Sequence, residues 1–300
     1  MAGLTMTVTD RKFDSYLLLH NNGVDNHTLT LVLKIFLKPV DTGWLPYKLV
    51  QDWDKNTFVA ERWPPLAWSQ FKERVVRQSK LWNDRFWLIP TAVVPGLDVK
   101  VGSRTLRPNI YCHLYVEIVG SAGGAHKTIE AMYLNPKATS VLAGVAENKI
   151  TSGTFRSDSG HYDSYDVAPR TESSVDDKGT SHKHANYRTV VHEIGHALGL
   201  PHIGVSHGDS ACQMSIAVDG LFKAFSAGSA VPALFAGGSA SRACYGDDAV
   251  AGRADNVMGR GTHFDTTNAA PWRDRIGQHT STLAANWTVS MHKVLPKLIP

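Results

Sequence analysis

The stretch Val190-Val191-His192-Glu193-Ile194-Gly195-His196-Ala197-Leu198-Gly199-Leu200-Pro201-His202 decides how the rest of the chain is read. On a helix, residues 192 and 196 leave the same face one turn apart. That is the reach two imidazoles need to share one Zn2+ at about 2.0–2.1 Å each. Glu193 follows the first histidine at the edge of that face. It is placed to take a proton from a metal-activated water rather than to bind the metal. Gly199 supplies a backbone that can take positive φ and end the helix, and Pro201 forbids its resumption. The reversal brings His202 toward the same ion as a third ligand. Three protein ligands leave the fourth tetrahedral position to water, which is the arrangement of a catalytic zinc site and not of a structural one.

The pattern His192-Glu193-x-x-His196-x-x-Gly199-x-x-His202 resembles the extended zinc signature of the metzincin metallopeptidases. That family also carries a methionine turn C-terminal to the signature, and Asn256-Val257-Met258-Gly259 is similar to it. A chance His-Glu-x-x-His on an amphipathic helix is the plain alternative, but Gly199, His202 and Met258 at the required places argue against it. The resemblance implies an α+β, metzincin-like fold: a twisted mixed β-sheet with a backing helix and an active-site helix, then a mostly irregular C-terminal lobe with a terminal helix. It implies a single metallopeptidase domain over residues 1–300, with an N-terminal lobe to residue 202 and a C-terminal lobe from 203.

The resemblance further implies a zinc-dependent endopeptidase. One catalytic Zn2+ is held by His192, His196 and His202, Glu193 is the general base, and Gly199 and Met258 are structural, the methionine as an apolar floor. The partner implied is a protein or peptide substrate, bound extended along a sheet edge. Some metzincins carry a tyrosine two residues past the methionine. This chain has Arg260 there, so no tyrosine is assigned to the oxyanion.

Composition agrees with a globular protein. The 300 residues are 43% hydrophobic and 19% charged, enough to bury a sizeable core. A net charge of +4 without a basic run interleaved with aromatics points away from nucleic acid. No stretch of eighteen apolar residues is present, so no membrane span is expected. The first ten residues lack a basic region followed by an apolar one, so no secretory leader is read there. Nor is a pro-segment with a lone cysteine seen. The expected location is cytoplasmic, or outside by a leaderless route.

Along the chain, residues 13–20 and 28–38 read as strands joined by the turn-forming cluster 21–26. In the second, Leu29, Leu31, Leu33, Ile35 and Leu37 share a face. Pro64-Pro65 opens a helix over residues 66–85, with Trp68, Phe71, Val75 and Trp82 at helical spacing. Residues 86–91, 110–119 and 128–134 read as further strands, and Cys112 as a buried core thiol. Residues 150–184 are polar, and 155–167 is the candidate strand at the cleft edge. Within it, Gly160-His161-Tyr162-Asp163 is similar to a run that serves structural metals in matrixins. A solvated loop is preferred there over a second zinc or calcium site at His161 and Asp163. His182 and His184 precede the helix, but their spacing does not compete with that of His202.

Residues 203–255 show little periodicity, with a short helix over 216–226, and residues 266–279 read as the terminal helix. The cysteines sort in two ways: Cys212 bridged to Cys244 with Cys112 free, or three reduced thiols. Two other functions fit the same residues. One is an effector or toxin peptidase that cuts a single host protein. The other is a zinc-bearing binding module that does not cleave, for which an intact Glu193 has no use.

Overall fold

The computed structural model describes residues 5–52, 56–144, 146–147, 150, 160–175, 178–225, 242–247 and 253–299. Strands β1 to β6 are Thr5–Val8, Asp14–Leu18, His27–Pro39, Tyr47–Gln51, Thr57–Glu61 and Trp87–Pro90. Strands β7 to β11 are Val99–Val101, Arg104–Arg107, Ile110–Ile118, Lys127–Leu134 and His161–Asp163. Strands β12 to β15 are Arg170–Val175, Ser181–Tyr187, Trp287–Ser290 and Lys297–Ile299. Helices α1 to α6 are Pro65–Ser79, Pro136–Ala143, Thr189–Ala197, Ile203–Ser206, Ser210–Phe225 and Ala270–Thr280. The chain is therefore α+β, and it divides into two compact units. One is Met1–Val167 with Ala269–Pro300, and the other is Ala168–Asn268. The lobe boundary expected at 202/203 falls inside the second unit.

The first unit is built on a twisted mixed sheet in the order β14-β6-β9-β3-β10-β5-β4, with β1, β2 and β11 attached. The long strand β3 runs parallel to β9 and β10 and antiparallel to β2. Its alternation is the one expected: Leu29, Leu31, Leu33, Ile35 and Leu37 are all buried, while Thr28, Thr30 and Lys34 are only partly so. Helix α1 packs on β9 and buries Phe71 and Val75. It is shorter than the periodicity predicts. A 3-10 turn, Lys80–Trp82, follows it, and Asp84 takes φ 59°, a left-handed conformation that ends the run. Cys112 is free and fully buried in β9, as expected, and burial pushes its thiol well above the usual range. Trp272 of α6 packs against Trp82 and Phe86, and its indole N–H donates to the His113 carbonyl at 2.9 Å. The small sheet β15-β8-β7 completes this unit.

Two expectations in this unit change. Within the solvated loop expected at 160–163, His161–Asp163 are instead β11, which pairs parallel with β10 and buries Tyr162 and Asp163. Main-chain pairing there outweighs a polar composition. Of the candidate cleft-edge strand 155–167, residues 155–159 lie outside the described residues, and residues 164–167 form a turn rather than strand. Strand β14 is an addition to the expected elements; it pairs antiparallel with β6.

The second unit starts with the hairpin β12–β13, which its polar composition disguises as loop. Helix α3 follows, then α4 and α5, a 3-10 helix Arg242–Tyr245, and the turn around Met258. Helix α5 begins six residues before the expected 216. Asp209 caps it, its Oδ1 accepting from the amides of Ala211 and Cys212 at 3.0 and 3.3 Å. Cys212 and Cys244 are bonded to each other. Among the described residues no helix is long and apolar enough to cross a membrane.

Candidate metal centre

Every residue of this site belongs to the second unit. Helix α3 is almost wholly buried, and His192 and His196 project from one face of it with ring centroids 4.7 Å apart. Gly199 adopts φ 93°, the left-handed conformation that its position after the helix requires. The turn it makes lets the Leu200 amide bond the Gly195 carbonyl at 2.9 Å. It also brings the Leu200 carbonyl back to the Nδ1 of His196, 2.8 Å away. His192 Nδ1 meets the Val257 carbonyl at the same distance.

A carbonyl only accepts, so both rings carry their proton on Nδ1 and turn an Nε2 lone pair inward. Those two Nε2 atoms lie 3.1 Å apart. Facing lone pairs repel at that separation unless a cation lies between them. Two nitrogens on a tetrahedral zinc are about 3.3 Å apart, given bonds of about 2.0–2.1 Å. His202 completes the group, the ligand atoms of all three lying within 4.8 Å of one another. Among the described residues this is the one cluster of three or more His, Cys, Asp or Glu that fits a metal ion. Among the described residues, His161 and Asp163 are not part of such a group. Burial lowers the pKa of both helix histidines, and for His192 the neighbouring His196 and His202 lower it further. Both rings are thus neutral near pH 7, which is the ligating form.

Glu193 is buried beside them. Tyr187, which ends β13, is buried with its ring 5.8 Å from that of His192. Burial first, and then the Glu193 carboxylate, push its phenol well above the usual range, so it stays a neutral hydroxyl.

Met258 is fully buried in a turn built by Asn256. Asn256 Oδ1 accepts from the Met258 amide at 2.8 Å, and its amide group pairs with Asn268 at 3.0 Å. The Met258 carbonyl accepts from the amide of Ile203 at 3.0 Å, next to His202. The turn therefore touches the histidine cluster twice, through Val257 to His192 and through Ile203 beside His202.

Residues that sequence reasoning misses surround this set. Tyr245 packs on His202, and Arg260 lies over Tyr245. Arg170 lies over Tyr187 at 4.9 Å. Glu172 links the two arginines, 2.6 Å from Arg170 Nε and 3.8 Å from Arg260 Nη1. Nothing local marks them, because they come from β12, β13, the 3-10 helix and the Met258 turn. His184 is engaged elsewhere, as its spacing suggests. Its Nε2 is 2.6 Å from the Ser174 hydroxyl and its Nδ1 bonds Asp255. That order is the one found in serine hydrolases, but Ser174 is buried, so the chain serves to tie the hairpin to the Met258 turn. No family model, no curated protein and no solved structure matches this chain.

Proposed function

We propose that the chain is a zinc-dependent endopeptidase of the metzincin kind. The observation that supports this most is the pair of Nε2 lone pairs, 3.1 Å apart, whose tautomers are set by the Val257 and Leu200 carbonyls, with His202 beside them. His192, His196 and His202 would hold the ion. Bound there, zinc supplies the Lewis acidity that makes water a nucleophile near neutral pH and polarises a peptide carbonyl.

The chain's own residues do the rest. Glu193, buried next to the first ligand, takes the proton of the attacking water and carries it to the leaving amine. Tyr187 stays protonated and offers that carboxylate a neutral neighbour rather than a second charge. The substrate is a protein or peptide chain bound extended, so that main-chain hydrogen bonds hold the scissile carbonyl in place.

The test is metal content together with cleavage of a denatured protein mixture, on wild type and Glu193→Gln. One zinc per chain is expected in both proteins. Cleavage is expected only in wild type, and it is lost to a chelator. The variant should lose about 10²–10⁴-fold in rate, the usual contribution of a positioned base. A folded wild type that takes up no zinc, or a variant that cleaves as fast as wild type, would sink the proposal.

A further inference from the structure

His192 and His196 are aimed by main-chain carbonyls that fix both tautomer and ring direction. His202 arrives after the Gly199 turn and precedes α4, outside the helix that sets the other two. Its ring lies against Tyr245, with centroids 3.9 Å apart and planes inclined by 34°. The same tyrosine is stacked with His192 at 6.0 Å and 10°.

Tyr245 is itself held on several sides. The guanidinium of Arg260 sits 4.7 Å from its ring centroid. Arg260 Nε donates to both carboxylate oxygens of Asp247 at 2.9 Å, and the Asp247 side chain is 1% exposed. Burial lowers the pKa of Arg260, but the Asp247 hydrogen bond and charge more than offset this, so the cation persists. Next to it in sequence, Cys244 is bonded to Cys212. A Cβ at Gly204 would lie 2.6 Å from the Ala243 carbonyl, and one at Gly259 would lie 2.7 Å from the Tyr245 carbonyl. Only glycines let α4 and the Met258 turn close on this segment.

We propose that Tyr245 is a positioning residue for the third metal ligand, its ring, braced by Arg260 and Asp247, fixing the imidazole of His202. The flat face leaves His202 few rotations about its side-chain torsions. The ligand is therefore pre-aimed, with little torsional freedom to lose when the ion binds. This rests on the zinc reading above. Residues that orient a metal ligand commonly hold 10–100-fold of the metal affinity, and that is the scale expected here.

The experiment is chelator competition for zinc, with absorption spectra of the cobalt-substituted proteins, on wild type, Tyr245→Leu, Tyr245→Phe and Arg260→Met. Tyr245→Leu should bind zinc about 10–100-fold more weakly and change the cobalt bands, because His202 no longer holds one geometry. Tyr245→Phe should restore affinity and spectrum, since the ring and not the hydroxyl acts. Arg260→Met tests the brace with the tyrosine in place, should Tyr245→Leu fail to fold without metal, and is expected to move both readouts in the same direction by less. Wild-type affinity and bands in both Tyr245→Leu and Arg260→Met overturn the proposal. So does a Tyr245→Phe protein as weak as Tyr245→Leu. A wild type that binds neither ion removes the zinc reading itself, whereas a wild type that binds tightly while the variants do not differ removes only the role of Tyr245.

Discussion

His279 lies partly buried on α6, its Nε2 2.9 Å from the Ser15 hydroxyl. Burial, and then the nearby Arg275 charge, push its pKa from 6.5 down to about 4. The folded pKa is below the unfolded one, so between those values the unfolded chain binds the extra proton. Stability is complete above pH 6.5 and is lost as pH falls toward about 4. Solvent screens a partly exposed imidazole, so the effect is on the order of 1–2 kcal/mol. Urea unfolding at pH 7 and pH 4.5 should show a drop in wild type that His279→Gln reduces; equal drops in both proteins would remove His279 as the cause. At this same scale the histidine cluster is legible in the sequence alone, because His192, His196, Gly199 and His202 lie within one helix and one turn. Tyr245 is not. Its partner His202 is 43 residues away in sequence, and no period links a residue of one element to an aromatic on another.

The bridge from Cys212 of α5 to Cys244 of the 3-10 helix closes a separation of 32 residues. Loop entropy alone gives such a bridge about 3–4 kcal/mol. A Cys212→Ser, Cys244→Ser double variant should lose that much in the second unit. It should also weaken zinc binding, because Tyr245 is the next residue along. An unchanged unfolding midpoint would show that packing around Ala243 suffices without the bond. Gly204→Ala probes that packing directly: its new Cβ meets backbone at 2.6 Å, and backbone cannot swing aside as a side chain does. A loss of about 1–3 kcal/mol is expected from overpacking, and a neutral change would show that α4 has room to shift. Elements also explain which parts of the fold can be read. Strand β3 announces itself through five buried alternating residues. The β12–β13 hairpin has no such stripe; it buries Ser174 and His184 through hydrogen bonds, and a hydropathy pattern cannot see those.

Across the whole molecule, the chain leaves the first unit after Val167 and returns at Ala269. The return strand β14 pairs with β6, residues some 200 positions earlier, so neighbouring residues do not reveal the partition. A partition by sequence order therefore cuts at residue 202, where the motif ends rather than where the unit does. The two units differ in what they contain. All eight tryptophans of the chain fall in the first, and the three facing histidines fall in the second. Tryptophan emission therefore reports on one unit and amide exchange of α3 on the other. Zinc bound only by the folded second unit should stabilise it by about 4 kcal/mol when present at a thousandfold over its dissociation constant. Adding a chelator should accordingly open the α3 amides to exchange by about a thousandfold, while the urea midpoint read by tryptophan emission stays in place. Unaltered α3 protection would mean that no metal acts there. A tryptophan transition that moves in step with α3 would mean instead that the chain unfolds as one cooperative body, its metal stabilising residues far outside the unit that binds it.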